Sequence, residues 1–267
     1  MSAIAANLQA VRERIARAAR SAQRSPDDIV LLAVSKTIPP ERIAEARAAG
    51  QQAFGENTVQ EGVEKITNLA ALRPAPEWHA AQLDRDKVRT RCDVPRPSAG
   101  VASPEGPLLL PLEWHFIGPI QSNKTGPIAA HFQWAHSVDR ARTAERLNAA
   151  RPEGLPPLNV CIQVNVSGEA TKSGVAPGAE LDLAGIISRL PRLRLRGLMA
   201  IPEPTPDVGL QRRRFALLRE LKGGLVTRGH KLDTLSMGMS DDFEAAIAEG
   251  ATIVRIGTAI FGPRRKD

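Results

Sequence analysis

The sequence predicts an α/β fold: a single (β/α)8 barrel of the TIM type with one extra helix ahead of it. Three observations carry this. Short apolar, β-branched runs alternate with amphipathic segments along nearly all of the 267 residues, the pattern of a parallel sheet covered by helices. Eight such units can be counted, and eight at about this chain length close into a barrel. The hydrophobic share of 42% suits a full core, and no apolar run nears a membrane span, which needs about 20 residues. A doubly wound open sheet is the structural runner-up.

The elements follow in order. Ile4, Leu8, Val11 and Ile15 recur at 4-3-4 spacing with arginines opposite, an amphipathic helix docking one face and not a secretion signal. "SPDD" at 25–28 breaks it, and residues 30–35 form a buried strand. "PPERIAEARAAG" starts a helix on proline and ends it on Gly50. Residues 52–54 are a short strand into "GEN", with a helix over 58–70. "LEWHFIG" and "SNKTGPIAAHF" make the third unit, and "WAHSV" with "DRARTAERLNAA" the fourth, its helix opening on Asp139. "LNVCIQVNV" precedes "GAELDLAGIISRL", and "LRLRGLMAI" precedes a helix over 207–228 with Leu218, Leu221 and Leu225 in phase. "LDTLSMG" precedes "DDFEAAIAEG", closed by Gly250, and "TIVRIG" is the last strand. Residues 71–112 interrupt the pattern with Pro, Ala, Ser and Gly. This length exceeds an ordinary connection, so a flexible insertion is expected at about 76–111. Within it "PEWHAAQLDRDK" weakly echoes "LEWHFIGPIQSNK".

The two cysteines, Cys92 and Cys161, stand far apart without a CxxC or Cys/His cluster. That disfavours a disulfide framework or zinc site, makes Cys161 a buried strand thiol, and fits a reducing, cytoplasmic setting. The net charge is +7, and residues 192–231 hold ten Lys/Arg against three Asp/Glu. A solvated helix face explains this segment better than a nucleic-acid partner, since aromatics for stacking are few.

In such barrels functional groups come from the C-terminal ends of the strands and the loops after them. Lys36 ends strand 1, where partial desolvation favours the free amine that attacks carbonyls. "MGMSDD" after strand 7 puts Ser240 at a helix N-cap, and "RIGT" after strand 8 exposes the N–H groups of Gly257 and Thr258. Such loops bind phosphate, most often after strands 7 and 8. An amine anchor and a phosphate cradle on one small molecule suggest pyridoxal phosphate (PLP). Arg255 pointing inward would face its pyridine nitrogen and weaken the ring as an electron sink.

"LLAVSKT", "FGENTVQE", "EWHFIGPIQSNK", "RLRGLMAIP", "LSMGMSDDFEAAI" and "VRIGTAIFG" occur in this order from 31 to 262. In these motifs the chain resembles the pyridoxal phosphate homeostasis protein family, itself similar to the N-terminal barrel of alanine racemase. The segment at about 76–111 is the one departure. The resemblance implies a PLP Schiff base on Lys36. It implies phosphate contacts from Ser240, Gly257 and Thr258, Arg255 at the pyridine nitrogen, and Asn57 near the ring. His115, Asn165 and Met199 would line the pocket. It further implies a protein that carries and buffers the cofactor, with PLP-dependent apo-enzymes as recipients.

The alternative is a low-activity PLP-dependent racemase or lyase. Alanine racemases use a lysine and a tyrosine from a second domain as opposed bases. This chain has no tyrosine and stops at "FGPRRKD" soon after strand 8, so that scheme is disfavoured, leaving His115 as a substitute base. A monomer is expected, since no second domain would complete a shared site.

Overall fold

The computed structural model describes residues 2–71, 111–169 and 173–263. The expected insertion at about 76–111, its echo motif and Cys92 lie outside the described residues. Eight parallel strands close in sequence order: β1 (Val30–Val34), β2 (Ala53–Glu56), β3 (Glu113–Phe116), β4 (Trp134–Val138), β5 (Leu158–Gln163), β6 (Leu193–Met199), β7 (Thr234–Ser236) and β8 (Ile253–Ile256). β8 pairs with β1, Val30 opposite Ile253 and Leu32 opposite Arg255. The seam is therefore hydrogen-bonded, and the open-sheet alternative is overturned.

Most strands end earlier than the sequence suggests, where the chain bends into the loops of the mouth, but β2 runs on to Glu56 and β4 ends at Val138 as expected. Nine helices lie among the described residues. Helix α1 (Ala3–Ser21) precedes the barrel, and α2 (Pro40–Ala48), α3 (Val59–Ala71), α4 (Thr125–His131) and α5 (Ala141–Ala150) follow the first four strands. Next come α6 (Glu180–Ile187), α7 (Val208–Thr227), α8 (Phe243–Ala248) and the short α9 (Thr258–Phe261). Ile4, Leu8, Val11 and Ile15 are all buried, as their spacing demands. They dock α1 on α2, α8 and α9, and Asn7 Nδ2 ties the end of α9 by donating to the Ile260 carbonyl at 3.0 Å. Gly50 and Gly250 close their helices in left-handed backbone (φ 81° and 94°), which glycine adopts without penalty.

Side chains of successive strand residues alternate between the barrel interior and the helix layer. Phe54, Trp114, Phe116, Ala135 and Val254 join the main core between sheet and helices. Leu32, Ala53 and Ile253 pack together inside, as do Trp134, Cys161 and Met199. The core thus forms two layers, one within the barrel and one around it, and the interior layer is the floor of the mouth.

The basic segment at 192–231 is partly ion-paired, six of its ten cations meeting an acid. Arg192, Arg196, Arg212, Arg213, Arg214 and Arg219 each meet a carboxylate: Glu153, Asp233, Glu249, Asp207, Glu203 and again Glu249. Among the described residues no helix is long and apolar enough to cross a membrane, and no cluster of His, Cys, Asp or Glu could hold a metal ion.

Candidate functional site at the barrel mouth

Alternation carried past β1 puts Val34 and Lys36 on the interior side, because Leu32 is inside. The same rule puts Asn57 inside after β2, and Arg255 and Gly257 inside on and after β8. Lys36 and Asn57 are half-buried, whereas Arg255 is 3% exposed.

Arg255 is locked in place. Its Nη1 donates to the Ser236 carbonyl at 2.6 Å and to Ser236 Oγ at 2.7 Å, and its Nη2 to the Ala200 carbonyl at 2.8 Å. Three of five guanidinium N–H groups are thereby engaged, leaving two. Burial lowers its pKa to about 10 against the pull of Asp242, so it remains a cation at neutral pH.

Beneath it runs a polar chain that sequence reasoning missed. His136 Nδ1 lies 2.8 Å from Ser236 Oγ, and His136 Nε2 lies 2.9 Å from His115 Nδ1. His115 Nε2 faces Glu113 Oε2 at 3.5 Å. Burial, then the charges of His115 and Arg255, hold His136 well below the usual imidazole range, so it is neutral and carries one N–H. Ser236 Oγ, which accepts from Arg255, also meets His136 Nδ1, and His136 spends its second ring nitrogen on His115. His115 Nε2 is buried without a hydrogen-bond partner, its approach to Glu113 being an ion-pair distance only. Burial would raise the Glu113 carboxyl, but His115, Trp134 and Arg196 outweigh it and bring it to about 2. The signal in the sequence was parity: "EWHF" and "WAHSV" are adjacent strands, and both histidines fall on interior positions.

The loop after β7 departs from expectation. Ser240 is not the N-cap of α8; Asp242 is, and its Oδ1 accepts the Met239 N–H at 2.6 Å. The first of the two adjacent aspartates stands exposed, so the second takes the end of the helix. Ser240 remains half-buried in the loop between Gly238 and Asp242. Gly238 has φ 93°, and a Cβ there would lie 2.7 Å from Ala246 Cβ, so only glycine fits. After β8, Gly257 is the N-cap of α9 and Thr258 its first residue. A Cβ on Gly257 would lie 3.1 Å from the Val34 carbonyl oxygen, so this loop touches the end of β1. The loop after β3 also presses inward, because a Cβ on Gly118 would fall 2.1 Å from the Asn57 carbonyl oxygen.

Of the expected lining residues, Met199 lies buried in the floor and His115 in the polar chain. Asn165 belongs to its own loop instead: its Nδ2 donates to the Glu169 carbonyl and its Oδ1 accepts from Gly168 N, the turn chemistry to which Asn is suited. A groove of about 540 Å³ on the helical exterior, lined by Arg14, Arg17, Arg212 and Glu244, contains none of the expected residues.

Residues 3–265 match the alanine racemase N-terminal domain family. The chain is 53% identical over 264 residues to the pyridoxal phosphate homeostasis protein of Pseudomonas aeruginosa, spanning 99% of this chain and 97% of that one. It is 51% identical over 268 residues to the pyridoxal phosphate homeostasis protein of Escherichia coli, spanning 99% and 98%. The structure of PipY from Synechococcus elongatus with PLP bound superposes with a TM-score of 0.72 at 31% identity, covering 97% of this chain and all of that one. With this identity running from end to end, the chain belongs to the pyridoxal phosphate homeostasis protein family.

Proposed function

We propose that the chain binds PLP covalently through Lys36 and acts as a non-catalytic carrier that buffers the cofactor within the cell. One observation carries the reading. A single mouth holds a lysine at the end of β1 and a buried, rigidly held arginine on β8, with a glycine loop beside them packed against β1. This donor set fits the molecule: an amine for its aldehyde, a cation for its pyridine nitrogen, and hydroxyl and backbone donors for its phosphate.

Bound PLP supplies an aldehyde for amine capture and an electron-withdrawing ring. Lys36 provides the amine. Ser240, Gly257 and Thr258 hold the phosphate, and Asn57 borders the ring. Arg255 turns its remaining N–H groups to the pyridine nitrogen; a fixed cation there opposes protonation and limits carbanion chemistry. His115 is a poor second base. It is 1% exposed, with one ring nitrogen on His136 and the other facing Glu113. The absence of tyrosine from the sequence points the same way.

The reading extends to one PLP-binding domain over 1–267, a cytoplasmic monomer with PLP-dependent apo-enzymes as recipients. The test is a visible absorption titration with PLP. Wild type is expected to give a red-shifted band that Lys36→Ala lacks, with no turnover of amino acids by either. No band in the wild type would overturn it.

A further inference from the structure

On the outer side of β1 and β2, under α3, lies a buried ionic cluster that the reading above does not use. Ser35 and Glu56 alternate outward there, and both are fully buried. Lys65, only 5% exposed, descends on them from α3. Its Nζ donates to Glu56 Oε1 at 2.9 Å, to Glu61 Oε1 at 2.6 Å and to the Ser35 carbonyl at 2.6 Å. Ser35 Oγ donates to the same Glu56 oxygen at 2.6 Å. Glu61 Oε1 also accepts the Thr37 N–H at 2.5 Å.

The two peptide groups that flank Lys36 are therefore both gripped. The Ser35–Lys36 unit is held at its oxygen by Lys65, and the Lys36–Thr37 unit at its nitrogen by Glu61. The residue that follows them is strained, Thr37 standing at φ 63°, a region that β-branched residues rarely enter. Glu56 Oε2 is buried without a hydrogen-bond partner, and burial raises this carboxyl against the pull of Lys65 and Ser35. Apolar residues of similar size would seat α3 on the sheet at least as well, since buried ion pairs seldom stabilise a fold better than good packing does. What apolar residues would not provide is a grip on both peptide groups that flank Lys36.

We propose that Lys65, with Glu56 and Glu61, is a positioning device that fixes the Lys36 turn so that its amine is presented to the carbonyl in the barrel mouth. This rests on Lys36 being the carbonyl anchor. The device should act on capture of the aldehyde and not on recognition of the ring and phosphate. 4-Deoxypyridoxine 5'-phosphate, which lacks the aldehyde, separates the two.

The full chain is titrated with PLP and with this analogue as wild type, Lys65→Met, Glu61→Gln and the control Glu64→Gln, an exposed neighbour on α3. Circular dichroism checks the fold of each. Lys65→Met is expected to form the visible band at least tenfold more slowly and to bind PLP at least tenfold more weakly, with affinity for the analogue unchanged. Glu61→Gln keeps an acceptor for Thr37 but loses its charge, so a smaller slowing of about threefold or more is expected, which carries the test if Lys65→Met does not fold. Glu64→Gln should match wild type. Wild-type rates and affinities in both cluster variants, or equal weakening toward PLP and the analogue, would overturn the positioning role while leaving the anchor intact. No band in the wild type would overturn the anchor and the device together.

Discussion

Single residues shape this site by what they exclude as much as by what they contribute. Gly118→Ala would drive a methyl group into the Asn57 carbonyl. Overpacking of this kind costs about 1–3 kcal/mol; a urea midpoint shift and weaker PLP binding should report it together. Arg255→Lys keeps the charge but loses the fork that reaches Ser236 and Ala200 at once. We expect a loss of about 1–3 kcal/mol in urea denaturation and an altered visible band in the loaded protein. Cys161 lies buried in the interior layer, and burial pushes its thiol up to about 12. It should react with a disulfide reagent only on unfolding, and prompt labelling of Cys161 in the native protein, located by peptide mapping, would contradict this. These positions differ in legibility. Lys36 and Arg255 could be placed from strand parity and strand ends. Ser240 was misplaced by two residues, because capping signals do not say which member of "SDD" takes the cap.

Among the elements, the long periodic ones were the most readable and the loops the least. Helix α1 was legible because four apolar residues at helical spacing admit one docking face. Leu8 is fully buried there, so Leu8→Ala should destabilise by about 2–5 kcal/mol in chemical denaturation. The effect should reach the site, since α1 holds α9 through Asn7 and the Ile260 carbonyl. Strand ends were harder: β5 stops at Gln163, short of the expected "VNV", because Asn165 turns its amide into its own loop. The Lys65 cluster was illegible for a different reason. A lysine at an apolar position in α3 reads as a flaw in amphipathicity unless its partners on two other elements are known.

At the scale of the molecule, the buried polar chain makes stability depend on pH. The unfolded chain protonates His136 near pH 6.5, the folded one only well below. The folded state therefore binds fewer protons, and this contribution to stability is lost as pH falls below about 6.5. Glu56 acts oppositely: its raised carboxyl holds a proton in the folded state to higher pH, so its contribution declines as pH rises above the ordinary carboxylate range. His136→Gln should flatten the loss between about pH 7 and pH 5 in urea denaturation; an unchanged slope would mean that the ring titrates normally. The net charge of +7 was legible from composition, but not which arginines are paired, because Glu153, Asp233 and Glu249 lie in other segments. The closed seam between β1 and β8 has a consequence for synthesis. Lys36 lies in the first unit, while Ser240, Arg255, Gly257 and Thr258 lie in the last two. A nascent chain halted before its final thirty or so residues would carry the lysine but lack the arginine and the loop opposite. If Lys36 and the groups opposite it bind PLP as proposed, capture of the vitamin is expected only after β8 has closed the barrel.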